Sequence, residues 1–257
     1  MIRIQDLLKK KNASEPIVML TVYDAAFARI LDDSGVDILL VGDSLGMVVQ
    51  GQETTLGVTV EHIVYHTQMV ARAAHRAHLV SDMPFMSYQH DVKEALLNAA
   101  QLMVAGAHAV KLEGGLRIVP TVQALVESGI PVMGHLGLTP QSVHALSGYK
   151  MQGKTEQARK RLLQEALALQ EAGAYACVLE CIPSDLAGEI SQALSIPSIG
   201  IGAGPLCDGQ VLVLHDMLGL NPEAKPPFAK EYVQGKALVH QACEAYVNEV
   251  RQRVFPA

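Results

Sequence analysis

The stretch Ala105-Gly106-Ala107-His108-Ala109-Val110-Lys111-Leu112-Glu113 contains the joint from which this chain is built. Asp91 to Ala105 has the apolar spacing of an amphipathic helix, and Gly106 stands where a helix needs a left-handed residue just past its end. Ala109 to Glu113 is then a short β-like run that stops on an acid. The joint recurs as Ser34-Gly35-Val36, Ser128-Gly129-Ile130 and Ala172-Gly173-Ala174. Helix followed by strand, repeated, predicts a parallel sheet. The regularity of the joints favours an α/β fold of the closed (β/α)8 TIM-barrel type, with a doubly wound open sheet as the second reading.

Working outward, the strands are expected at Ile17 to Thr21, Ile38 to Gly42, Leu79 to Asp82, Ala109 to Glu113, Val132 to Leu136, Ala176 to Glu180, Ser198 to Gly202 and Val211 to Leu214. Helical stretches include Ile4 to Lys10, Asp24 to Asp33, Val60 to Ala77, Ile118 to Ser128, Glu156 to Ala172 and Pro183 to Leu194. A chain of 257 residues is long for an ordinary domain but usual for a barrel, so a single barrel domain over 1–257 is expected. Leu45 to Thr59 is too long for a plain connection and reads as a lid. Leu218 to Phe228, with Pro222, Pro226 and Pro227, leads into a last helix from about Lys230 to Arg253. That extension, 218–257, is expected to pack on the barrel or on a neighbouring subunit.

A net charge of -6 gives no electrostatic footprint for nucleic acid or an anionic membrane. Lys9-Lys10-Lys11 closes the first helix and reads as a solvated face. Cys177, Cys181, Cys207 and Cys243 form neither a disulfide framework nor a zinc ribbon, no leader-like run follows Met1, and no apolar run is long enough to span a bilayer. The expectation is a cytoplasmic protein.

Three further apolar runs end on acids: Leu39 to Asp43, Leu79 to Asp82 and Cys177 to Glu180. In a parallel barrel these carboxylates and Glu113 gather at the C-terminal rim, where barrel active sites lie. Asp43 and Asp82 on neighbouring strand tops, with Glu113 beside them, make an oxygen-only donor set that suits Mg²⁺. Alternatively, Asp43 caps a turn and Asp82 caps the next helix. Lys111 and Glu113 share a strand face, as either a structural ion pair or part of the site. Glu180, away from the metal set and flanked by Leu179 and Cys181, is read as a general base in an apolar setting. Capping or surface pairing is its other reading. His135 ends the fifth strand, either contacting a ligand or buried and satisfied. Gly200 to Gly204 is a weak phosphate-loop signal. Such a site suits a small α-keto acid: the metal chelates it, Lys111 neutralises its carboxylate and Glu180 removes the neighbouring proton.

The ordered set Thr21-Val22-Tyr23-Asp24, Val41-Gly42-Asp43-Ser44-Leu45-Gly46-Met47, Asp82-Met83-Pro84-Phe85-Met86, Lys111-Leu112-Glu113-Gly114-Gly115, Gly134-His135-Leu136-Gly137-Leu138-Thr139-Pro140-Gln141, Leu179-Glu180-Cys181, Gly200-Ile201-Gly202-Ala203-Gly204 and Asp208-Gly209-Gln210 resembles the ketopantoate hydroxymethyltransferases. The resemblance implies a barrel of the phosphoenolpyruvate mutase/isocitrate lyase-like type, Mg²⁺, the keto acid 3-methyl-2-oxobutanoate, and 5,10-methylenetetrahydrofolate as one-carbon donor. It also implies a homodecamer, a pentamer of dimers. It makes Asp43 and Asp82 metal ligands supported by Glu113, sets Asp43, Ser44, Asp82 and Lys111 against the keto acid, and makes Glu180 the proton acceptor. Asp82 is expected at a solvent-facing rim. Two departures stand out: Met83 where the family usually has Leu, and Gly57 where Pro is expected near the end of the lid. A lyase or phosphonate mutase of the same superfamily is the alternative, although Leu45 to Thr59 lacks the Cys, Lys or Arg such enzymes place there.

Overall fold

Eight strands pair in sequence order, all parallel: β1 (Ile17–Thr21), β2 (Ile38–Val41), β3 (His78–Asp82), β4 (Ala109–Glu113), β5 (Val132–Gly137), β6 (Ala176–Glu180), β7 (Ser198–Ile201) and β8 (Gly209–Leu212). β8 pairs back onto β1 and closes the ring. The structure is a computed structural model that describes residues 1–221 and 225–256; Pro222 of the 218–228 segment lies outside the described residues. The chain forms two units, Met1–Leu212 and Val213–Ala257.

The first unit is the barrel with α1 (Ile4–Asn12), α2 (Ala25–Asp33), α3 (Leu45–Val48), α4 (Val60–Ala73), α5 (Val92–Val104), α6 (Val119–Glu127), α7 (Glu156–Glu171) and α8 (Ser184–Ala193). Side chains of Asp24, Thr59, Asp91 and Thr155 accept main-chain N–H groups and start α2, α4, α5 and α7. Gly35, Gly106, Gly129 and Gly173 all adopt positive φ after their helices, as their spacing predicts.

The twofold alternation of a strand decides what fills the ring. Ile17, Met19, Ile38, Leu40, Val80, Ala109, Met133, Ala176, Val178, Ile199 and Val211 pack as one interior cluster, with Leu7 and Tyr175. Continued upward, the same parity carries Thr21, Asp82, Lys111, Glu113, His135 and Glu180 to the C-terminal end. The apolar layers therefore form a solid floor beneath a polar mouth.

Several boundaries differ from expectation: the last helix begins at Gly235 instead of near Lys230, and two others have a local reason. β8 begins at Gly209, before the expected Val211, and Leu214 already starts a helix. Gly209 pairs with Ile17, and a Cβ there would lie 2.5 Å from the Ile17 carbonyl oxygen, so this register needs a residue with weak strand propensity. α4 stops at Ala73 because the Asp32 carboxylate takes the main-chain N–H groups of His75, Arg76 and Ala77 out of helical pairing. Lys10 and Lys11 are not a solvated face: Lys10 pairs with Glu15 and Asp37, and Lys11 lies 2.7 Å from Asp208. The Leu45 to Thr59 segment is partly core, since Leu45, Gly46, Thr55 and Val58 are buried. Gly57 leaves room for the Gln52 side chain.

The second unit holds α9 (Leu214–Met217) and α10 (Gly235–Arg251). Along α10 only Gly235 is buried, while Leu238, Val239, Tyr246, Val247 and Val250 are exposed. Among the described residues no helix is long and apolar enough to cross a membrane.

Candidate active site

Strand register brings the charged side chains together. Asp82 pairs with Lys111 across β3 and β4, Glu113 with His135 across β4 and β5, and Gly137 with Glu180 across β5 and β6. Asp43 follows β2, and its main-chain N–H donates to Asp82 Oδ2 at 2.9 Å. Gly42 permits this approach, because a Cβ there would stand 2.9 Å from Ser44 Oγ and 3.4 Å from Asp82 Oδ2. Asp43 and Asp82 are thus neighbours, and neither carboxylate caps a turn or helix.

Lys111 Nζ lies 2.7 Å from Asp82 Oδ1 and 3.3 Å from His135 Nδ1. His135 bridges two carboxylates, with Nδ1 3.4 Å from Glu113 Oε1 and Nε2 3.1 Å from Glu180 Oε2. Asp43, Asp82, Lys111, Glu113 and His135 are all buried, which corrects the expected solvent-facing position of Asp82. Glu180 is more open, its side chain 14% exposed, and it faces an imidazole where an apolar flank was expected. Cys181, next in the chain, has φ +46, so the main chain turns sharply and under strain just after Glu180. Gly137 has φ +94, and a Cβ on it would collide with the Glu180 carbonyl oxygen.

Burial, with the Asp82 and Glu113 charges beside it, pushes the Asp43 carboxyl well above the usual carboxylate range. Burial also raises Asp82 against the pull of Lys111. For Glu113 burial works upward, but His135 and Lys111 outweigh it and hold this carboxyl low. Burial and Lys111 press His135 down, yet Glu113 and Glu180 hold it at about 9, so the ring is a cation at neutral pH. Lys111 is held above its ordinary value: burial opposes its charge, and Asp82, Glu113 and Asp43 overcome that.

The donor set fits a hard divalent cation. Asp82 Oδ1 and Glu113 Oε1 are buried and make no aligned hydrogen bond, although Lys111 and His135 stand at ion-pair distance from them. The raised Asp43 marks a place short of positive charge. Among the described residues no three His, Cys, Asp or Glu side chains form a closed ligand cage. Mg²⁺ commonly takes one or two carboxylates and keeps several waters, so two aspartates with Glu113 behind them suffice.

Ser44 Oγ is 2.8 Å from Tyr23 Oη, which also donates to Thr21 Oγ1 at 3.0 Å. Sequence reasoning gave no role to Tyr23, Tyr88 or Gln141. Tyr88 Oη accepts the Glu113 N–H and lies 2.9 Å from the Glu113 carbonyl oxygen, while Gln141 reaches both Asp43 and Glu113. These residues lie outside the strands, where periodicity marks nothing; their only signal was membership of the quoted motifs or their neighbourhood. His66 Nδ1 lies 2.6 Å from the Tyr23 carbonyl oxygen.

The model of the family described as ketopantoate hydroxymethyltransferase matches residues 1–257. The chain belongs to this family. Ketopantoate hydroxymethyltransferase relatives include 3-methyl-2-oxobutanoate hydroxymethyltransferase of Geobacter sulfurreducens, 53% identical over 254 residues that cover 98% of this chain and 95% of that protein. The Magnetococcus marinus protein of the same name is 54% identical over 256 residues, covering 99% of this chain and 96% of its own. Among solved structures, 2,3-dimethylmalate lyase, a PEP mutase/isocitrate lyase superfamily member, superposes with TM-score 0.61 at 18% identity, covering 98% of this chain and 99% of that one. Phosphonopyruvate hydrolase in complex with oxalate and Mg²⁺ gives TM-score 0.67 at 12% identity, covering 98% and 88%. At such identities the two structures speak for the fold alone, a closed (β/α)8 barrel.

Proposed function

We propose that the rim carries out the transfer of a hydroxymethyl group from 5,10-methylenetetrahydrofolate to the enolate of 3-methyl-2-oxobutanoate, giving 2-dehydropantoate (ketopantoate) on the route to pantothenate and coenzyme A. The observation that carries this reading is the division of the rim into two parts. One is an anionic pair, Asp43 and Asp82, bound to each other by a main-chain hydrogen bond. The other is a carboxylate, Glu180, on the far side of His135 and more open than the rest.

Asp43 and Asp82, with Glu113 in support, would hold Mg²⁺. When bound there the cation supplies Lewis-acid polarisation of the keto oxygen. Lys111 neutralises the substrate carboxylate, and Ser44, held by Tyr23, offers a hydroxyl to the same ligand. Glu180 accepts the proton from C3, and cationic His135, in contact with its Oε2, orients it and balances charge across the pocket. The electron pair left on C3 then attacks the one-carbon unit; both of its bonds to folate nitrogen break, water supplies the hydroxyl oxygen, and the proton taken by Glu180 with the two from water end on the hydroxyl and the two nitrogens of the departing tetrahydrofolate. The apolar floor closes the site from below, so the second substrate enters from the open end.

The protein is read as a cytoplasmic homodecamer, a pentamer of dimers, without nucleic-acid or membrane partners. The exposed apolar side chains of α10 support assembly. The rival lyase or mutase reading is not favoured, because the matching family spans the whole chain.

The reaction divides in two for testing. With Mg²⁺ and 3-methyl-2-oxobutanoate labelled with tritium at C3, the protein is expected to release label without folate, and to form ketopantoate only when methylenetetrahydrofolate is added. Release should depend on Glu180. Absence of release from the unaltered protein would refute the assignment.

A further inference from the structure

Gln141 lies in the 3₁₀ turn Pro140–Ser142 that brings the chain back over the rim after β5, and it is 5% exposed. Its side-chain Nε2 donates to Asp43 Oδ2 at 2.9 Å and to the Met83 carbonyl oxygen at 3.0 Å. Its main-chain N–H donates to Glu113 Oε2 at 3.0 Å. On the other side, Oε1 receives Gln89 Nε2 at 2.9 Å and has Tyr88 Oη at the same distance. The Tyr88 hydroxyl has one proton, to share between Gln141 Oε1 and the Glu113 carbonyl oxygen, while it accepts the Glu113 N–H.

This network fixes which way the amide points. Turned over, Gln141 would set an acceptor against Asp43 Oδ2 and the Met83 carbonyl, and a donor against the Gln89 amide, so that only Tyr88, whose hydroxyl can accept, would still be matched. A neutral amide also does what no charged side chain could do here. It donates a hydrogen bond to a buried carboxylate and adds no positive charge beside it.

We propose that Gln141 is a positioning residue for the divalent cation: by taking Asp43 Oδ2 and Glu113 Oε2 it fixes both carboxylates and leaves Asp43 Oδ1 available to the ion, and Tyr88 with Gln89 locks it in that orientation. This assignment rests on reading the rim as a cation site. Groups that orient metal ligands typically change metal affinity or activity by about 10–100-fold when removed. Gln141→Met keeps the length and apolar stem, and leaves the main-chain bond to Glu113 in place, so it isolates the clamp on Asp43.

The test uses Mn²⁺ alone as a paramagnetic probe, titrated into the full chain without substrates and read by electron paramagnetic resonance. The unaltered protein is expected to bind with one tight class of sites. Gln141→Met should weaken binding about 10–100-fold at an unchanged melting temperature. Tyr88→Phe, which keeps the ring and removes the lock, should weaken it about threefold or more. The double variant should lose less than the two single losses combined, because Tyr88 acts in part through the Gln141 amide and otherwise through the Glu113 N–H that it accepts. Activity gives a second signature: raising Mn²⁺ should restore most of kcat in Gln141→Met, which a general loosening of the fold would not allow. Affinity within twofold of the parent in Gln141→Met, or full additivity in the double variant, overturns the proposal. Should Gln141→Met not fold, Tyr88→Phe decides alone, with unchanged Mn²⁺ affinity as the overturning result. No Mn²⁺ binding by the unaltered protein would instead remove the cation reading beneath it.

Discussion

At the lower end of the barrel, Asp32 receives the N–H groups of His75, Arg76 and Ala77, Asp37 receives that of Val18 beside Lys10, and Asp208 receives Ser198 and Lys11. At the upper end, Asp82 Oδ1 and Glu113 Oε1 are buried without an aligned donor, and Asp43 stands in the field of two further carboxylates. Burial opposes the charge of Asp32 as it does that of Asp43, but the main-chain donors hold Asp32 below its usual range while Asp43 is driven above it. The same side-chain chemistry fastens loops at one end and remains unspent at the other. Carboxylate oxygens held by ion pairs without an aligned donor keep acceptor capacity for a ligand, whereas those of the lower end have given theirs to main-chain N–H groups.

The largest effect that would break this contrast concerns Asp82. Asp82→Asn should lower kcat/KM, taken per folded molecule, by about 10³-fold or more, since it removes a carboxylate charge from the cation site, and it should lower the melting temperature as well, since buried Lys111 loses its partner. Undiminished turnover would mean that the upper carboxylates are structural after all. Glu180→Gln should slow tritium release from C3 by about 10²–10⁴-fold, with keto-acid binding measured by calorimetry little changed. Equal losses in binding and release would make Glu180 a binding residue and blur the division of the rim.

The lower end should answer in stability instead. Asp32→Ala strands three main-chain donors, and about 2–3 kcal/mol of unfolding free energy should be lost in urea titration, with kcat per folded molecule unaltered. The smallest effect belongs to His78, buried on the inner face of β3 with Nε2 3.1 Å from Tyr175 Oη. Burial and the neighbouring His108 bring His78 down from 6.5 to about 4. Between those values the unfolded chain binds the proton more readily, so stability falls as pH drops through that window and is fully restored above it. From pH 7 to pH 5.5 this should amount to about 1 kcal/mol, and His78→Gln should flatten that part of the profile. An unchanged slope would place the acid sensitivity elsewhere.

The ring and the ends of β1, β4 and β6 could be read from residue order alone, because alternation and terminal acids are local signals. β8 could not, since its first residue is a glycine whose value lies in what it spares the opposing Ile17. Of the site, Asp82, Lys111, Glu113 and Glu180 follow from strand parity plus position, whereas Asp43, of the other parity and beyond β2, follows only from its place after a strand end. Their burial does not, and neither does the imidazole that Glu180 meets. Tyr88 and Gln141 were hidden because they act through hydrogen bonds made between loops, a kind of contact that leaves no period in the chain.

Gly137 has a consequence for the reaction itself. By bearing only hydrogen where β5 passes the Glu180 carbonyl, it lets two strand tips close to a spacing that any methyl would widen. The place of Glu180 at the rim is therefore set by main chain against main chain.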